Sequence, residues 1–261
     1  MTRIIKILFI ALSTLYAAPS ISVPGSLTHE NTVELGETIK GSIPILNRGD
    51  SVGRVKVYVM DYLFNSEGQT FYEKLGFNPR SNGNWIKTSR TYLEIPPNNE
   101  VNFTYTLQVP KTLKKDGTYW SIILVEPLLP PPTDTGQKNT ASIQTVMRYG
   151  IQVVTHLGKT GKYDLKIANK NIESNDEKKY FSIDVENSGS LMLAPQISVE
   201  LFNNLGNYIG NFKGPKLRIF PTCSVKYSVD LGNLSKGDYK AVLILDHNEG
   251  EVFGAQYDLS L

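Results

Sequence analysis

The side chains in this chain that are best suited to catalysis or metal binding are its three histidines, His29, His156 and His247. They lie far apart in the sequence. None of them forms a metal-ligand spacing with a second histidine or a cysteine. The run from Asp246 to Glu249 could form a metal loop, although it more simply closes a hairpin. No serine-hydrolase, paired-carboxylate or phosphate-loop signature is present in the sequence. The sequence therefore predicts a protein that is not an enzyme and that uses no cofactor and no metal.

Cys223 is the only cysteine, so the chain cannot form an internal disulfide. It lies in an alternating run that favours a strand, with no histidine or basic cluster close in sequence. A buried structural thiol is therefore expected rather than a nucleophile. The polar segment from Gly158 to Lys162 lacks the glycine spacing of a phosphate-binding loop, and residues 158–162 are interpreted as a linker.

The first 18 residues are typical of a secretory signal peptide. Arg3 and Lys6 give a basic start, an apolar run covers residues 7–16, and Ala17 and Ala18 supply small residues for cleavage. A short membrane anchor that is never cleaved is the alternative. The net charge of +2 does not favour nucleic acid or an acidic membrane surface as a partner. No later segment is long and apolar enough to span a bilayer, so no stable membrane insertion is expected after signal removal.

Short alternating apolar runs separated by turn signals fill the remaining chain, and no segment shows a convincing helical period. The pattern predicts an all-β protein with two immunoglobulin-like β-sandwich domains in tandem. The first is assigned to residues 19–157 and the second, with about seven strands, to residues 163–261.

The segment that suggests an interaction is the alternating run at residues 143–154, which follows a polar, Pro-rich loop. Because side chains alternate along a strand, one face carries an almost continuous apolar row. That row consists of Ile143, Thr145, Met147, Tyr149, Ile151 and Val153. A long strand beside a long loop predicts an edge that pairs with another chain.

Several short runs resemble a known family. The first domain is similar to the N-terminal domain of PapD-like periplasmic chaperones, which assemble pili and other surface fibres. The second domain resembles the fibronectin-III-like or immunoglobulin-like domains that follow it. The runs that carry the resemblance are Glu34-Leu35-Gly36-Glu37, Leu93-Glu94-Ile95-Pro96-Pro97, Gly117-Thr118-Tyr119-Trp120 and Phe220-Pro221-Thr222.

The resemblance implies a function and a site. Its partners would be protein subunits of a surface fibre or another exported protein, bound in the periplasm by β-strand addition. The strand residues donated to the partner would be Ile143, Thr145, Met147 and Tyr149. A basic pair in the family's cleft anchors the partner's terminal carboxylate; the nearest candidates here are Arg148 and Gln152, and Gln152 stands where a basic residue is expected.

Two other functions remain open at this point. One is a structural or adhesive module of the cell surface without chaperone activity, in which the same strand is fully paired within its own sheet. The other is a hydrolase or sugar-binding protein, which rests only on aromatic residues such as Tyr72, Trp85 and Trp120. Those aromatic residues are more simply interpreted as core residues.

Overall fold

The computed structural model describes residues 19–113, 115–129, 146–158, 160–175, 178–247 and 250–261. The regular structure in these ranges is β-strand, apart from one short 3-10 turn at Gly83–Trp85. They contain no helix with the length and apolar character needed to cross a membrane. The predicted signal peptide, residues 1–18, lies outside the described residues. The expected all-β fold with two immunoglobulin-like sandwiches is confirmed.

The first sandwich is built from ten strands. They are β1 (Ile21–Ser22), β2 (Thr28–Val33), β3 (Thr38–Asn47), β4 (Gly53–Phe64), β5 (Thr70–Glu73), β6 (Ile86–Thr88), β7 (Tyr92–Ile95), β8 (Asn99–Gln108), β9 (Gly117–Leu128) and β10 (Tyr149–Leu157). One sheet has the order β1-β3-β8-β6; the other has the order β2-β10-β9-β4-β5, with β7 also paired to β4. Alternate side chains of both sheets fill the core between them, as the period of two requires.

The segment from β1 to β2 connects the two sheets of the first sandwich. Strand β1 pairs with β3 in one sheet, and β2 then pairs in parallel with β10 in the other. Between them Gly25 has a φ of 92°, a left-handed conformation that glycine adopts without steric cost. This switch between sheets limits the stretch of β10 that β2 can reach.

The second sandwich contains seven strands among the described residues, which agrees with the expected number. They are β11 (Leu165–Asn175), β12 (Lys178–Asn187), β13 (Gln196–Asn203), β14 (Tyr208–Lys216), β15 (Ser224–Gly232), β16 (Asp238–Asp246) and β17 (Val252–Ser260). Their two sheets have the orders β11-β12-β15 and β14-β13-β16-β17. Cys223 is 1% exposed in this core, and burial raises its pKa to about 11. The expectation of a buried thiol is confirmed, and a raised pKa disfavours the reactive thiolate.

Strand β10 corrects the predicted strand at residues 143–154. It begins at Tyr149, and Val146, Met147 and Arg148 precede it without strand structure. It also continues to Leu157, where it still pairs with both β2 and β9. Alternation alone could not place these ends, because it reports side-chain direction and not where the neighbouring strands pair. Residues 143 and 145 lie outside the described residues.

Candidate functional site

The beginning of β10 has an unpaired edge. The Gln152 backbone N–H donates to the Leu27 carbonyl oxygen at 2.9 Å, on the side of β2. Because backbone groups two residues apart point to the same side of a strand, the Gly150 N–H points to that side as well. Pairing with β2 starts only at Gln152 opposite Thr28. Within the described part of the chain, the stretch Tyr149–Ile151 therefore has β9 as its only partner strand. Such an edge can accept a strand from another chain.

An exposed apolar surface lies beside this edge. Met147 is 65% exposed and Leu129 is 48% exposed, and both line a cavity of about 280 Å³. The other residues that line it are Pro19, Ser20, Ile21, Arg54, Pro127, Leu128, Val146 and Tyr149. Large apolar side chains clustered at a surface in this way are typical of protein-binding sites.

Along the predicted donor row, the side chains change from buried to exposed at Tyr149. Ile151 and Val153 are fully buried in the first sandwich, so they belong to this chain's core. Tyr149 is half-buried, and its hydroxyl donates to the Ile21 carbonyl oxygen at 3.1 Å. Met147 is exposed, and Ile143 and Thr145 lie outside the described residues. Of the four predicted donors, the structure thus places Met147 in solvent and Tyr149 at the boundary.

The outward face of the same sheet carries large side chains beside the free edge. Tyr58 and Met60 of β4 lie opposite Leu124 and Ile122 of β9, and these four residues are called the outward patch. Ile122 and Leu124 are buried, with 4% and 2% exposure. Gly150 permits this packing, because a Cβ atom there would lie 2.6 Å from Cδ1 of Ile122. The outward patch is continuous with the free edge at Gly150, which pairs with Leu124.

The second sandwich covers the other end of that face, and Phe220 makes its main aromatic contacts there. Phe220 stacks on the Trp120 indole with a centroid distance of 4.8 Å and an angle of 8° between ring planes. It also contacts the rings of Tyr62 and Phe64 at 6.4 Å and 5.9 Å. The indole N–H of Trp120 donates to the Tyr62 carbonyl oxygen at 2.6 Å, which fixes the indole orientation. This aromatic contact positions the second sandwich at the end of the cleft.

Polar and basic groups lie where the two sandwiches meet. Gln152 of β10 lines a cavity of about 530 Å³ together with Arg218 and Lys226 of the second sandwich. The Gln152 side-chain amide donates to the Tyr62 hydroxyl at 3.3 Å, and burial raises the pKa of Tyr62. A guanidinium and an ammonium group in one cleft favour an anionic ligand.

The sequence analysis missed Arg218, since it belongs to the other domain and no local pattern relates it to Gln152. Arg148, the other predicted anchor, does not line this cavity. It lies 3.8 Å from the carboxylate of Glu126, which also accepts the Tyr58 hydroxyl at 2.6 Å. The structure therefore separates the two predicted anchor residues and places Gln152 and Arg218 in the lining of one cavity instead.

Two histidines share a second cavity, of about 490 Å³, with Glu30. Nδ1 of His247 accepts the Ala194 backbone N–H at 3.0 Å, so a neutral His247 carries its proton on Nε2. Nε2 of His156 lies 2.8 Å from Glu30 Oε1. Each imidazole is therefore used in hydrogen bonding, and the described residues contain no cluster of three or more potential metal ligands.

No protein-family model matches the sequence, and no curated protein matches it. Solved structures with a similar fold include the chaperone–tip adhesin complex of CFA/I fimbriae biogenesis, with a TM-score of 0.49 and 12% identity over 91% of this chain and 98% of that chain. The class 5 fimbriae chaperone CfaA aligns with a TM-score of 0.48 and 11% identity over 93% of this chain and 100% of that chain. The Escherichia coli chaperone DraB aligns with a TM-score of 0.41 and 12% identity over 94% of this chain and 98% of that chain.

Proposed function

We propose that this chain is an exported, chaperone-like protein that binds fibre or other surface subunits in the periplasm by β-strand addition. The observation that carries the proposal is the unpaired backbone edge at Tyr149–Ile151 beside the exposed side chain of Met147. The resemblance of the sequence to PapD-like chaperones points to the same kind of partner.

The free edge and the exposed side chains have separate roles in this proposal. A strand of the subunit pairs with the backbone from Val146 to Ile151, and these main-chain hydrogen bonds supply affinity. Met147, with the predicted donors Ile143, Thr145 and Tyr149, fills apolar positions of the subunit and supplies specificity.

The cleft also offers a place for the subunit's terminal carboxylate. Gln152 can donate an amide hydrogen, and Arg218 supplies the positive charge that the first sandwich lacks at this position. A guanidinium binds a carboxylate through paired N–H donors. The proposed anchor is therefore Gln152 with Arg218, one from each sandwich, rather than Gln152 with Arg148.

The experiment that tests strand addition mixes purified protein with the subunits exported alongside it. The variant Met147→Asp places a charge among apolar contacts, so the affinity of the complex is expected to fall by at least about tenfold. Isothermal titration calorimetry gives the dissociation constant of each variant. The matched control is Val252→Asp on β17, a residue of similar exposure (60%) in the second sandwich, and it should leave binding unchanged.

The alternative function is a structural or adhesive surface module, which needs no donated strand. In that case Met147→Asp and Val252→Asp would bind any partner equally well. A complex that tolerates Met147→Asp and gives no new protection of the Gly150 amide would contradict strand addition.

A further inference from the structure

The carboxylate of Glu30 bridges the two sandwiches beside the proposed anchor. Its Oε2 lies 3.1 Å from Nη2 of Arg218 in the second sandwich, and its Oε1 lies 2.8 Å from Nε2 of His156. Glu30 is on β2, and its side chain points to the cleft side of the sheet, as those of Thr28 and Thr32 do. The one guanidinium that lines the cleft among the described residues is therefore already paired with a carboxylate of the same chain.

We propose that Glu30 is an internal carboxylate that occupies Arg218 and that the carboxylate of a bound partner displaces. This inference concerns the regulation of the anchor and rests on the proposed function. Arg218 and Glu30 are each 36% exposed, so the ion pair is accessible from solvent and can exchange. A second carboxylate approaching Arg218 is repelled by Glu30 at short range, which weakens its binding.

Glu30 keeps its hydrogen bond to His156 when another carboxylate displaces it from Arg218. Thr118 Oγ1 accepts the Met192 backbone N–H at 2.8 Å and lies 3.0 Å from Nδ1 of His156. A Thr118 hydroxyl that donates to Nδ1 places the proton of a neutral His156 on Nε2, and a protonated ring carries one there as well. Nε2 therefore donates to Glu30 in either state, and displacement from Arg218 exposes only Oε2 to water.

Other contacts keep the two sandwiches together when Arg218 turns to the partner. The Thr118 N–H donates to the Ser190 carbonyl oxygen at 2.8 Å, and the Ser66 N–H donates to the Ser224 hydroxyl at 2.9 Å. The stacking of Phe220 on Trp120 is also independent of Glu30. Binding thus exchanges one cross-domain ion pair and preserves the rest of the interface.

The test titrates N-acetylglycine into the full chain and follows the side-chain Nε–H resonance of Arg218 by NMR; Arg218→Lys assigns the signal. N-acetylglycinamide is the neutral counterpart, which should cause no shift. Glu30→Gln is expected to bind N-acetylglycine about two- to fivefold more tightly than the wild type, the range of an exposed ion pair. Glu30→Asp, whose side chain is one methylene shorter, should tighten binding in the same direction.

The matched control is Glu34→Gln, an exposed carboxylate near the end of β2, which should leave the affinity unchanged. Equal or weaker binding by both Glu30 variants overturns the proposal. It is also overturned if N-acetylglycine fails to shift Arg218 in every variant. Neither result bears on strand addition, which the Met147→Asp experiment decides separately.

Discussion

The two halves of β10 differ in what surrounds them, although their sequences alternate in the same way. From Gln152 to Leu157 the strand has β2 on one side and β9 on the other. Its outward face there meets the second sandwich, since Val154 packs in the same cluster as Phe220. From Tyr149 to Ile151 it has β9 alone among the described strands, and its outward face at Gly150 packs against Ile122 and Leu124 of the outward patch.

This difference shows that the neighbouring elements decide whether a strand is structural or available for binding. Ile151 and Met147 belong to one predicted row, yet the first is fully buried and the second is 65% exposed. Side-chain type does not separate them, because both are apolar. Their positions relative to β2 differ. The chain passes from β1, which pairs with β3, to β2, and β2 pairs with β10 only from Gln152 onwards.

Hydrogen exchange should show the largest contrast between the two halves. The amides of Gly150 and Gln152 point to the same side of β10. The Gln152 N–H donates there to the Leu27 carbonyl oxygen, whereas Gly150 lies before the first residue that pairs with β2. The opening free energy at Gln152 is expected to approach that of global unfolding, about 5–15 kcal/mol for a typical domain, and that at Gly150 to be near zero. NMR-detected exchange of the free protein measures both amides.

Binding of a partner should remove this difference in amide protection by changing Gly150 alone. In a complex formed by strand addition, the Gly150 amide gains protection while Gln152 changes little. Strong protection of Gly150 in the free protein would show that the edge is already paired, and it would favour the structural or adhesive module.

Removing the aromatic contact at the covered end of the sheet face should have the next largest effect. Phe220→Ala is expected to cost about 3–5 kcal/mol of unfolding free energy, because Phe220 is 1% exposed and stacks on Trp120. Urea denaturation measures this change. The control Tyr92→Ala removes an aromatic ring that is 61% exposed and should stay within about 0.5 kcal/mol of the wild type. A loss below about 1 kcal/mol for Phe220→Ala would mean that the ring does not join the two sandwiches.

The sequence predicts the strands of this fold better than it predicts which strands and side chains contact one another. Alternation and turn signals identify the sandwiches, the seven strands of the second one and the buried Cys223, because each of these depends on local pattern. The start of β10, the Phe220 contact and the approach of Arg218 to Gln152 depend on residues distant in the chain. Phe220 and Thr222 are part of a run that resembles the family, but the run does not show that Phe220 packs against Trp120.

The smallest expected effect concerns the strand that covers the paired half of β10. His29 of β2 faces the opposite side from Glu30, and its Nδ1 lies 2.7 Å from the Tyr105 hydroxyl. Burial lowers the pKa of His29 from its usual 6.5 and raises the pKa of Tyr105 to about 12. The phenol therefore keeps its hydrogen near neutral pH, and it donates this hydrogen to Nδ1 when the proton of a neutral His29 is on Nε2.

The sign of the pH dependence follows from the lowered pKa. As pH falls below 6.5, the unfolded chain binds a proton at His29 more readily than the folded chain does. The contribution of His29 to stability is thus fully present above pH 6.5 and decreases as the pH falls towards the folded-state pKa. Urea midpoints measured between about pH 7.5 and pH 5 should fall more in the wild type than in His29→Gln. Over the same range, the protection factor of the Gln152 amide, which corrects for the pH dependence of intrinsic exchange, should fall more than that of Gly150, because β2 pairs only with the first of these residues. Identical pH profiles for the wild type and His29→Gln would show that His29 does not influence how firmly β2 holds β10.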